Sequence, residues 1–172
     1  MTTSTAALDA RGLLPAAEFA GVVATVQDGN PGMDQAIAER IVTDALAFVA
    51  TASLNPGARI APSRTVDEGW HALILHTAVY ARLCAHLGGM VHHFPERPDP
   101  GRQGADVIER TVNLIRETGY TPDPALWTLP TDGRIRVAAD CGHAPNCGPI
   151  DPKAEEHTQH GRGFVLPAGG GC

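Results

Sequence analysis

Five of the chain's eight histidines, His71, His76, His86, His92 and His93, fall between positions 71 and 93. Neutral imidazole is a frequent metal ligand, and several rings within reach of one another can replace the water around a cation such as zinc. A histidine on a mostly apolar helix can equally be a packed side chain with one hydrogen bond, so spacing decides which can cooperate. Asp67 and His71 are four apart, one turn along a helix face, where they either hold one ion or form a carboxylate–imidazole pair that orients the ring. His71 and His76 are five apart, about 140° around the axis, and point away from a common ion. On one straight helix His71 lies roughly 26 Å before Gly88, whereas the four residues from Gly88 to His92 reach at most ~14 Å. A single ion held by both His71 and His92 is therefore not expected, which leaves two centres or partners for His71 elsewhere in the fold.

The C-terminal part offers such partners. Cys141-Gly-His143-Ala-Pro-Asn-Cys147 is a C-x-H-x-x-x-C run, followed by His157, His160 and a terminal Cys172. Thiolates and imidazoles at that density suit zinc or another divalent transition metal, although the paired C-x-x-C knuckles of a zinc ribbon are missing. The alternative is an irregular tail with incidental thiols. The candidate ligands are thus Asp67, His71, His76, His92, His93, Cys141, His143 and Cys147. The sequence has no nucleophile elbow, phosphate-binding loop, dinucleotide fingerprint or H-E-x-x-H.

The elements that must position these residues are written in the apolar pattern. Phe19, Val22, Val23 and Val26 make one helical face after Pro15. Asp34 is placed to cap a second helix with the stripe Ile37, Ile41, Ala45, Phe48, Val49 and Ala52, ended by Asn55-Pro56-Gly57. Thr65-Val66-Asp67-Glu68 has the form of a capping box. It opens a third helix predicted to run unbroken to Gly88-Gly89, with Val66, Trp70, Leu73, Thr77, Tyr80, Cys84 and Leu87 on its seam, and to be the central element. Cys84 on that seam is expected to be a small buried hydrophobe. Val107, Ile108, Thr111, Val112 and Ile115 mark a fourth helix ending at Thr118-Gly119, and Trp127 is a packing anchor in a short turn after Pro122. A short strand is predicted over 135–138. The fold expected is mostly α, a compact bundle of about four helices over residues 13–130, between a flexible N-terminus (1–12) and an irregular tail (131–172) containing Gly, Pro, Cys and His.

The 172 residues suit one compact domain. Net charge is −6 with a single lysine, Lys153, which argues against nucleic acid as a partner. No stretch approaches the ~20 apolar residues of a membrane span, and Pro15 and Glu18 interrupt the only apolar run near the N-terminus. A cytoplasmic protein is expected, its four cysteines thiols or metal ligands before disulfides.

The segment from Val66 to Thr77, with its Asp67-x-x-Trp70-His71 core, Tyr80, Cys84, and His92-His93-Phe94-Pro95, resembles the glycine-rich domain-containing protein-like family, bacterial members in particular. Looser similarity continues to Asp123-Pro124-Ala125-Leu126-Trp127. Leu73 stands where the family's W-H-x-H form has its second histidine. The resemblance implies that Asp67, Trp70, His71, His92 and His93 matter to the domain, and it implies no reaction. The residues themselves favour a metal-binding domain, zinc-type, that acts structurally or through a protein partner. The rivals are a metal-dependent tailoring enzyme or hydrolase, with Asp67 or Glu68 as base, and a carrier presenting Cys172.

Overall fold

The computed structural model describes residues 7–96, 105–128, 135, 137, 142–143 and 148–149. Five α-helices form the domain: α1 (Ala16–Gly29), α2 (Gln35–Leu54), α3 (Arg64–Leu75), α4 (Thr77–Leu87) and α5 (Ala105–Glu117). Two-residue strands β1 (Val91–His92), β2 (Pro95–Glu96), β3 (Gly142–His143) and β4 (Gly148–Pro149) are the only strands among the described residues. No helix among those residues is long and apolar enough to cross a membrane.

Local signals set most helix ends. In α1 the buried residues are Phe19, Val22, Val23 and Val26, the predicted face. Asp34 caps α2, its carboxylate accepting from Ala36 N–H at 2.8 Å. Glycines with positive φ follow α4 (Gly88, 105°) and α5 (Gly119, 100°). The first residues described also have partners: Asp9 caps a short 3-10 turn, Ala10–Leu13, and Arg11 lies over the Phe19 ring and pairs with Glu39.

The centre of the bundle is α2, where the sequence pattern pointed to the third helix. Its residues are buried almost continuously from Ile41 to Ala52, because α1, α3, α4, α5 and the strand residues all pack around it. A helix covered on every side carries no polar stripe, and from Ile41 to Ala52 the only polar residues of α2 are Thr43, Asp44 and Thr51.

Two corrections concern the third predicted helix. It is not continuous: at His76 the backbone leaves the helix (φ −82°, ψ 62°), and α3 and α4 are separate elements. The break coincides with a tertiary contact, since His76 Nε2 lies 2.8 Å from Thr25 Oγ1 on α1. The cap is also different. Ser63 ends the preceding segment and its Oγ accepts from Val66 N–H at 3.1 Å, while Glu68 accepts from Asn30 Nδ2 at 2.8 Å instead of closing a box on Thr65. After the break Leu83 and Cys84 are buried, while Leu75 is 72% exposed.

Helices α2 and α3 approach closely at Gly69. A Cβ there would meet Ile41 O at 2.8 Å and Ala45 Cβ at 2.9 Å. Alanine is the better helix former, yet Gly69→Ala should lower stability by about 1–3 kcal/mol, because backbone must move to admit the methyl group. Thermal melts of the two proteins check this, and an equal or higher midpoint in the variant would show that the helices separate at no cost.

Candidate metal centre

Asp67 lies in the first turn of α3 with its side chain wholly buried. One carboxylate oxygen, Oδ1, is 3.1 Å from His93 Nε2, and the other, Oδ2, is 3.6 Å from His71 Nε2. The three residues offer ligand atoms that all lie within 4.8 Å of one another. Ligand atoms at ~2.0–2.1 Å from a tetrahedral ion stand about 3.3 Å apart; here the His93 nitrogen is near that spacing from one carboxylate oxygen, and the His71 nitrogen faces the other oxygen at 3.6 Å. The His71 and His93 rings are 4.6 Å apart between centroids. His71 is 36% exposed at its side chain and His93 only 8%, so an ion would reach the group from the His71 side. Two neutral imidazoles and a carboxylate are a donor set that zinc and other divalent transition metals accept.

The helix break brings His93 to this place. An uninterrupted third helix would carry the chain far from His71. With α3 ending at Leu75, the chain turns and returns through Val91 to lay His93 beside it. A hydrogen-bonded relay holds that return. Trp70 Nε1 donates to Tyr80 Oη at 2.9 Å, and Tyr80 Oη donates to the carbonyl of Val91 at 2.5 Å. The Trp70 ring then lies 4.6 Å from the His93 ring. Tyr80 is therefore a positioning residue for His93, a role that its place on the apolar seam did not disclose.

The other candidate residues fall elsewhere. His76 is turned to Thr25 on α1, and the His92 ring is 6.2 Å from that of Phe94. His86 is exposed on α4. Cys84 is a free, buried thiol in the core. Cys141 and Cys147 lie outside the described residues, as do His157, His160 and Cys172. For His143 the backbone is described, and it pairs with Pro95. The predicted strand over 135–138 is described at two positions only, Ile135 and Val137, which pack against the core.

A second buried acid, Asp44 on α2, escaped the sequence reading. Its Oδ2 accepts from Trp127 Nε1 at 2.7 Å and from Asp123 N–H at 2.9 Å, fastening the Pro122–Trp127 turn to the central helix. The available signal was an acid between Ile41 and Phe48, inside the apolar stripe. Burial pushes its carboxyl up to about 6 from the ordinary 3.8, against the opposing pull of those two hydrogen bonds. The folded chain thus keeps a proton there between about pH 4 and 6 that the unfolded chain has released. Its contribution is fully present below pH 4 and is lost as pH rises through 6. Asp44→Asn keeps an acceptor oxygen without the charge. Relative to the parent it should be near neutral at pH 4 and more stable by about 2–3 kcal/mol at pH 8. Urea denaturation at the two pH values measures this, and a pH-independent difference would refute it.

Fold and site together define a small, mostly helical domain with a buried Asp/His/His group that could hold a metal ion. The chain belongs to the UCP032817-like family, whose model matches residues 14–115, more than half of the chain and the whole of this group. Comparison with curated proteins and with solved structures finds no match.

Proposed function

We propose that this domain binds one divalent transition-metal ion, zinc by its donor set, through Asp67, His71 and His93, and that the ion locks the Val91–Phe94 segment onto α3. The observation that carries this reading is the convergence of three ligand atoms, from two separate parts of the chain, within 4.8 Å. We take the role to be structural or regulatory, exercised through a protein partner. A hydrolase would need a carboxylate base beside the ion. Asp67 already serves both imidazoles, and Glu68 accepts from Asn30, which favours a lock over a reaction centre.

Elemental analysis of the purified chain, followed by zinc titration into metal-free protein, tests the proposal. One equivalent should bind to the parent, and His93→Ala should bind at least about a hundredfold more weakly. No metal as purified and no binding in the titration would overturn it.

A further inference from the structure

One side of α5 faces the core: Thr111 and Ile115 are wholly buried, and the N–H of Ala61 donates to Thr111 Oγ1 at 3.2 Å. The stripe next to them, Ile108, Val112 and Arg116 with Glu109, forms one wall of a groove of about 340 Å3, and the Pro122–Trp127 turn forms the other. Asp44 fastens that turn to the central helix. Ile108 and Val112 are half-buried in the groove, while Glu109 and Arg116 stand exposed at its rim.

The rim charges are arranged on either side of Val112. Glu109 and Arg116 are seven apart, about 10.5 Å along the helix, and do not reach each other. Asp106 and Arg110, four apart, do pair, at 3.7 Å. Arg116 donates one N–H to Asn113 at 3.2 Å, which uses one of the five donors of its guanidinium. A second copy of α5 laid antiparallel, about a two-fold axis between Val112 and Asn113, sets Glu109 of each copy opposite Arg116 of the other and brings the two Val112 side chains side by side. The stripe is thus complementary to itself, as a two-fold interface requires. The net charge of −6 opposes the approach of two copies in general, so contact needs a face on which opposite charges meet, and this stripe supplies one.

We propose that the chain forms a two-fold dimer through this groove, α5 antiparallel to α5, with two Glu109–Arg116 ion pairs at the rim and Val112 at the centre. The proposal is independent of the metal reading. The ion pairs fix register and choice of partner, while Ile108, Val112 and Pro124 supply the apolar contact.

Sedimentation of the full-length chain at concentrations up to about 1 mM, which covers weak association, tests it, once with zinc and once with a chelator. The parent should dimerise in both. Glu109→Arg and Arg116→Glu each bring like charges together twice, so each should weaken the dimer by at least about a hundredfold, with a melting curve close to the parent's because both positions are exposed. An equal mixture of the two variants joins Arg to Glu at every contact and should dimerise again, as should the double variant. A parent that stays monomeric, a dimer indifferent to either reversal, or a mixture that fails to associate would overturn the proposal. A dimer seen only with zinc would place the contact at an ion and overturn it as well.

Discussion

Trp70→Ala should remove roughly 3–5 kcal/mol of stability, the range for truncating a large buried aromatic side chain, from a domain whose whole margin is of the order of 5–15 kcal/mol. The indole has no exposed surface. Its ring lies 5.1 Å from Phe48 on the central helix and 4.6 Å from His93, so truncation opens a space between α2, α3 and the returning segment. The indole N–H donated to Tyr80 Oη goes with it, and Tyr80 is the residue that holds Val91. Two consequences are therefore expected together: a much lower urea midpoint, and zinc binding weaker than in the parent even where the variant is fully folded. Tyr80→Phe separates them. It keeps the ring and removes both hydrogen bonds, so it should cost about 1–3 kcal/mol while still loosening His93. A Trp70→Ala protein that melts like the parent would mean that the indole is not part of the core.

What the sequence disclosed followed the range of the interactions involved. Helices α1, α2 and α5 were legible because their apolar faces, caps and glycine or proline ends are signals within a few residues. The Asp67–His71 pair was legible for the same reason, since four-residue spacing on a helix sets both side chains on one face. The break at His76 was not. No glycine or proline marks it, and the contact that accompanies it is with Thr25, fifty-one residues earlier. Everything that depends on the break was hidden as well. The distance argument that kept His92 from an ion held by His71 assumed a straight helix; the chain turns at His76, and the residue it brings beside His71 is the next one, His93. Asp44 was missed because its partners, Asp123 and Trp127, are about eighty residues away. The central place of α2 was missed because a strong stripe on the third helix drew attention from a helix covered on all sides.

Asp67→Asn should abolish tight metal binding with a smaller loss of stability in the metal-free protein. The substitution keeps the shape of the side chain and changes its chemistry. A carboxylate accepts at both oxygens, and here one faces His93 at 3.1 Å and the other His71 at 3.6 Å. An asparagine amide accepts at its oxygen only and presents a donor at the other position. The amide oxygen can keep the hydrogen bond with His93, so an N–H comes to face His71 where a carboxylate oxygen stood 3.6 Å away, and an ion loses its only anionic ligand among the three. Affinity should fall by more than about a hundredfold, over 2.7 kcal/mol of binding energy. Without metal, the mismatch at one buried contact should cost about 1–3 kcal/mol. A carboxylate that served only the positive end of α3 would behave otherwise: asparagine would cost about 0.3–1 kcal/mol and leave metal affinity unchanged. Zinc titrations and urea curves on metal-free parent and variant separate the two cases. Equal affinity with a slightly lower midpoint would make Asp67 a helix-terminal charge and remove it from the centre.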